Sequence, residues 1–205
     1  DSENAIYGRV GFNNGGRLKI MLRKDSNDYD FTGSTSFSDS QGWNHFAYVI
    51  DANNETIKGY VNGVLEIAQS YNSNINYYAS SREWWIGDAP LNSSSSHSFG
   101  GWMDEIAIWD EALTDTQINQ LYNSGNATLA HEVQTDHLRA YYDFENGSYS
   151  DKTGRGTDPT AEVGVSFSNE VISADFTFIF PDESPSDEEL IIGQTYDKLI
   201  SIKSE

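Results

Sequence analysis

The residue types that carry nucleophilic chemistry are sparse in this chain. There is no cysteine, which removes thiol catalysis, thiolate zinc sites and a disulfide framework together. The four histidines, His45, His97, His131 and His137, stand in no pattern with a serine nucleophile. Paired carboxylates are the other route, because acid–base hydrolysis of a glycosidic bond needs two acids facing one gap. The run Glu105-Ile-Ala-Ile-Trp-Asp110-Glu111 offers acids at the wrong spacing. On a strand, Glu105 and Asp110 have opposite parity, and the neighbours Asp104 and Glu105 point to opposite faces. The expectation is that the chain is not an enzyme.

Binding chemistry is better supplied. Asp and Glu number 32 against 12 Lys and Arg, a net charge of −20, and hard cations such as Ca²⁺ take carboxylate, amide and carbonyl oxygens. Read as a helix–loop–helix calcium loop, Asp151 to Glu162 matches at the first, sixth and twelfth places. Thr153 and Arg155 spoil the third and fifth, and the flanks read as strands, so that version is rejected. For sugars, the candidate surface is rich in aromatic and amide groups. Tyr71, Asn72, Asn74, Asn76, Tyr77 and Tyr78 lead to Trp84-Trp85, followed by Asp88, Asn92, His97 and Trp102. Aromatic planes pack on the C–H faces of sugar rings, while amides and carboxylates meet the hydroxyls. Trp84 and Trp85, being adjacent, point to opposite sheet faces. The plainer reading stays open: these aromatics fill a large core. Asn-x-Ser/Thr sequons occur at Asn54, Asn92, Asn126 and Asn146, a pattern that an Asn- and Ser-rich chain produces by chance.

The bulk properties set limits on partners. So acidic a surface repels phosphate backbones and anionic lipid, so neither nucleic acid nor membrane insertion is expected. No apolar run approaches the roughly 18 residues of a membrane span, and DSENAIYGRV has neither the charged leader nor the apolar region of a signal peptide. With 205 residues, of which 13% are aromatic, the chain is long and apolar enough to bury a core. Residues 1–205 are expected to form one domain.

The elements that position these groups read as strands. Ile6, Val10 and Phe12 share one parity. After the turn Asn13-Asn14-Gly15-Gly16, Leu18, Ile20 and Leu22 alternate with Arg17, Lys19 and Arg23, which predicts a hairpin with one wet face. HFAYVID and TIKGYV form a second pair. Asn62-Gly63 supplies the two positive-φ residues of a type I′ turn into Val64-Leu65-Glu66. WWIGD and GWMDEIAIW add two strands, and FTFIF, LIIG and LISIK three more. One segment differs: in LTDTQINQLYNSG, Thr114 and Gln117 form a capping box, Ile118, Leu121 and Tyr122 an apolar stripe, and Gly125 a stop. The acidic PDESPSDEEL reads as a solvated loop. Many strands with one short helix predict an all-β jelly-roll sandwich of two antiparallel sheets.

WNHFAYVIDANNETIKGYVNGVLE, WWIGDAP and FGGWMDEIAIWDEALTDTQINQLYNSG, in that order, resemble the laminin-G-like branch of the concanavalin A-like lectin/glucanase superfamily. LRAYYDFENGSYSDKTGRGTDPTAEVGVSFS is similar to the way such domains begin. Residues 138–205 thus resemble the first part of the domain and residues 1–137 the remainder, a circularly permuted order. Three arrangements fit it: permutation within one chain, a window across tandem domains, or completion between subunits. The resemblance also implies a structural Ca²⁺ near Asp104, Glu145 and the loop Asp151–Asp158, with Asp151, Arg155 and Asp158 contributing. Arg155 stands where such loops carry Asn, which leaves it only a backbone carbonyl to offer. The implied function is a non-catalytic, lectin-like module that binds glycans in adhesion, extracellular or on a cell or virion surface. The alternative is a structural subunit of an extracellular filament, sheath or virion, with copies of itself as partners.

Overall fold

A computed structural model describes residues 7–12, 16–24, 27–37, 42–51, 53–71, 84–87, 102–155, 158–162, 176–179 and 190–192. Three antiparallel strands open it: β1 (Tyr7–Phe12), β2 (Arg17–Lys24) and β3 (Asn27–Ser36), paired in that order. The predicted hairpin is present, with Val10 opposite Ile20 and Phe12 opposite Leu18. Its wet face is present too, since Leu18 and Ile20 are buried while Arg17 is exposed. β3 was not expected, because NDYDFTGSTS has almost no apolar alternation.

A second antiparallel run follows: β4 (Phe46–Asp51), β5 (Thr56–Val61) and β6 (Val64–Ser70). The turn from β5 to β6 is the predicted one, with φ of 50° at Asn62 and 73° at Gly63. β7 (Trp84–Ile86) and β8 (Ile106–Trp109) come next, then α1 (Asp115–Tyr122) and the single turn α2 (Ala130–Val133). The Thr114–Gln117 capping box is formed in both directions. Asn123, in left-handed conformation at φ 42°, ends the helix, so the expected stop at Gly125 comes two residues late. β9 (Leu138–Tyr142), β10 (Pro159–Glu162), β11 (Phe176–Ile179) and β12 (Leu190–Ile192) complete the order. LISIK and most of PDESPSDEEL lie outside the described residues.

The main sheet has six strands in the order β6-β5-β4-β11-β8-β9. Two of its strands come from residues after 137: β9 runs antiparallel to β8, and β11 lies between β4 and β8, parallel to both. The small sheet β10-β12-β7 is parallel throughout. Most pairs are antiparallel, as expected of this architecture, and the parallel ones arise where the late strands enter.

Strands β4, β8 and β9 of the main sheet are buried on both faces, while the edge strand β6 is largely exposed. Phe46, Tyr48 and Ile50 of β4 join Leu18, Ile20, Ile57, Ile106, Ile108 and Tyr142 in the core between the sheets. The alternate residues Ala47 and Val49 pack on the other side with Trp109, Leu113, Ile118, Leu121 and Leu138. An isolated helix of eight residues is not stable in water. Burying Ile118 and Leu121 completely, at about 1.5–3 kcal/mol each, holds α1 in place. Asp115 in its first turn adds bonds to β5, accepting from Lys58 Nζ and Tyr60 OH at 2.7 Å each. Where β5 faces β2, Gly59 leaves no space for a side chain: a Cβ there would stand 2.8 Å from Ile20 Cδ1. β3 and β6 are joined by a carboxylate. Glu66 accepts from Ser34 N at 2.9 Å, Ser34 Oγ at 2.8 Å and Thr35 N at 3.0 Å, and from the Thr35 hydroxyl.

Candidate functional site: an acidic corner

The β8–β9 register puts Ile106 opposite Tyr142, so the residues just before β8 meet those just after β9. Asp104 and Glu105 stand on one side, and Asp143 and Glu145 on the other. Glu105 is not part of the strand: its φ is 53°, a left-handed conformation unusual for a side chain of this size. Alternation therefore does not separate Asp104 from Glu105. The Glu105 N–H donates to Asp104 Oδ1 at 3.0 Å, and the Glu105 carboxylate accepts from the Tyr141 hydroxyl.

This crowding changes proton affinity. Burial and the Glu105 charge push Asp104 up to about 7; the Glu105 N–H opposes them, and Glu145 and Asp143 add to the rise. Glu105 is also pushed up to about 7, first by burial and then by Asp143 and Glu145, against the bond from Tyr141. Asp143 has a cationic partner in Lys152, 3.1 Å away, and accepts from the Glu145 N–H at 3.1 Å.

Of the five residues implied for calcium, Asp104 and Glu145 thus share one corner. The other three belong to the loop after it. Asp151 is buried, and it accepts from Tyr141 N at 3.0 Å, Thr153 N at 2.9 Å and Thr153 Oγ1 at 2.6 Å. Its own N–H donates to Asp158 Oδ1 at 2.7 Å. Arg155 is exposed, and its guanidinium reaches Asp136 O at 3.5 Å. Asp151 and Asp158 are therefore engaged in fastening the loop to β9. The carboxylates of the corner suit a hard cation in chemistry. Among the described residues, however, no three His, Asp or Glu side chains already form a metal shell, so a cation would have to draw the acids together.

Of the sugar candidates, Tyr77, Tyr78, Asp88, Asn92 and His97 lie outside the described residues. Trp84 and Trp85 are placed by backbone alone, on β7 beside β12. Trp102 is half-buried, and its indole N–H is buried without a hydrogen-bond partner among the described residues. It precedes Asp104 by two positions.

Sequence reasoning missed Asp143, Glu105 and Tyr141 as members of the corner, since strand register is invisible in spacing. It also missed the charge cluster at the opposite end of β8. There the buried Asp110 accepts from Arg139 and meets His137 Nδ1 at 3.0 Å, while His137 Nε2 lies 3.2 Å from Glu111. These contacts tie the end of β8 to the start of β9. Glu105 and Asp110, the acids weighed as a hydrolytic pair, sit at opposite ends of β8 and share no gap.

Among the described residues, no helix is long and apolar enough to cross a membrane. No curated protein and no solved structure matches the chain. A laminin G family model, described as concanavalin A-like lectin/glucanases superfamily, matches residues 1–119, more than half of the chain. That match spans the β1–β3 sheet, the β4–β6 run, β7, β8 and the capping box of α1; it covers most of the first resembling stretch, residues 43–125, and none of the second, residues 138–168. The chain belongs to the concanavalin A-like lectin/glucanase superfamily.

Proposed function

We propose that this chain is a non-catalytic, lectin-like module that binds carbohydrate in adhesion, outside the cell or on a cell or virion surface, with a calcium ion taken up at Asp104 and Glu145. The observation that carries the reading is the acidic corner. Four carboxylates crowd at the meeting of β8 and β9, and two of them hold protons more tightly than free acids do. A divalent cation would offset that repulsion and favour the charged forms. Superfamily membership supports the sugar half, and so does the half-buried Trp102 beside the corner. The separation of Glu105 from Asp110 supports the absence of glycoside hydrolysis.

A glycan array read in calcium and in chelator tests the proposal. Binding in calcium that is lost with chelator and in Asp104→Asn is the expected result. Silence across a broad array in calcium would overturn the carbohydrate reading. A second reading, a self-assembling subunit, needs residues 138–205 to complete a neighbour; the placement of β9 and β11 in the chain's own sheet favours the self-contained module. Gel filtration separates the two: a species near the mass of one chain supports the module, and a concentration-dependent ladder supports the subunit.

A further inference from the structure

The sequence has three Asn-Gly steps, at Asn14, Asn62 and Asn146, and the structure describes the last two. They share a dipeptide but sit in opposite circumstances. Asn62 is held on every side: its N–H donates to His45 O at 2.8 Å, its Oδ1 accepts from His45 N at 2.9 Å, and its Nδ2 donates to Asn44 Oδ1 at 2.8 Å. Gly63 beside it is packed against α1, where a Cβ would stand 2.6 Å from Asn119 Oδ1. Asn146 and Gly147 are exposed. Among the described residues no hydrogen bond holds the Asn146 amide, and the turn around it is closed by one bond, Ser148 N to Glu145 O at 3.2 Å.

We propose that Asn146 is a spontaneous deamidation site, and that the fold shields Asn62 from the same reaction. The Gly147 backbone nitrogen attacks Cγ of Asn146, a C–N bond forms, and the side-chain nitrogen leaves as ammonia, giving a five-membered succinimide. Water then opens either carbonyl of the ring and leaves an aspartate or isoaspartate at position 146. The attack needs the backbone to rotate away from its left-handed conformation, with φ of 56° at Asn146. Glycine at the next position puts no side chain in the way. At Asn146 that rotation breaks one exposed bond. At Asn62 it breaks three bonds and unseats the turn from α1, so its reaction requires a much larger local opening. The product places one more carboxylate next to Glu145 and deletes the sequon Asn146-Gly147-Ser148.

The test uses the full chain, made in bacteria and incubated in mildly alkaline buffer, then digested with trypsin and followed by mass. The peptide of residues 140–152 contains Asn146 as its sole asparagine. It should gain about one dalton, with isoaspartate detectable, at least about tenfold faster than Asn62 reacts. Asn146→Gln should abolish the gain in that peptide. In denaturant the two sites should react at similar rates, because the difference comes from the fold. Equal rates in the folded chain, a faster Asn62, or a difference that persists in denaturant would each overturn the proposal.

Discussion

Acidification from pH 7 to pH 4 should weaken this fold through His45, and the size of the effect follows from its burial. The ring is 1% exposed and stacks on Tyr122 of α1 with centroids 6.1 Å apart. Desolvation lowers its pKa from 6.5 to about 4. The unfolded chain therefore takes up a proton below about 6.5 that the folded chain refuses until about 4. Stability is full above the upper value and drains away as the pH falls toward the lower one. At about 1.4 kcal/mol per tenfold, that interval corresponds to about 3 kcal/mol, or about 6–12 °C of melting temperature for a chain of this size. Carboxylates titrate over the same range, so the comparison must be with His45→Phe, which keeps a ring against Tyr122 and removes the titration. Urea unfolding of both proteins from pH 7 to pH 4 is the assay. The stability of the wild type relative to the variant should fall by about 3 kcal/mol across the range. Parallel pH profiles would refute the reasoning, because a buried neutral histidine cannot be silent in that interval.

Three further outcomes follow from the structure. Asp104 has its pKa raised to about 7 from 3.8, so it binds a proton more tightly folded than unfolded, and its contribution to stability declines as pH rises from about 4 to about 7. The full interval is worth about 4 kcal/mol, about half that after allowance for its partial exposure; in chelator at pH 8, Asp104→Asn should therefore melt several degrees above wild type, and calcium should reverse the order. Glu66→Ala removes the carboxylate that joins β3 to β6 through Ser34 and Thr35 and should cost about 1–2 kcal/mol in urea unfolding at neutral pH. Burial works to raise the pKa of Glu66, but its bonds from Thr35 and Ser34 outweigh that and lower it, so the Glu66 contribution should also fade as pH drops through its depressed folded value. Gly59→Ala forces a Cβ to 2.8 Å from Ile20 Cδ1 and 3.0 Å from Leu18 Cδ2 and should destabilise by about 1–3 kcal/mol, read as a lower urea midpoint with an unchanged slope.

What was legible in the sequence was local. The Asn62-Gly63 turn and the Thr114–Gln117 cap each depend on residues within one turn of one another, and the structure has both as read. The strand β3 was illegible for the converse reason: its polar residues Ser34 and Thr35 are held by Glu66, 32 and 31 positions away. The entry of β11 between β4 and β8 is a similar case, since no short pattern says which strands a late segment will join. The acidic corner combines both kinds of signal. Asp104 and Glu145 were found by resemblance, but Tyr141 reaches Glu105 across 36 residues, a contact that only the β8–β9 register creates. Period-two reasoning set Asp104 and Glu105 on opposite faces, and it would have been right had the strand begun at Asp104. The left-handed φ at Glu105 stops alternation one residue before β8, and that single backbone angle turns two neighbours that a sheet would separate into one interacting pair of acids.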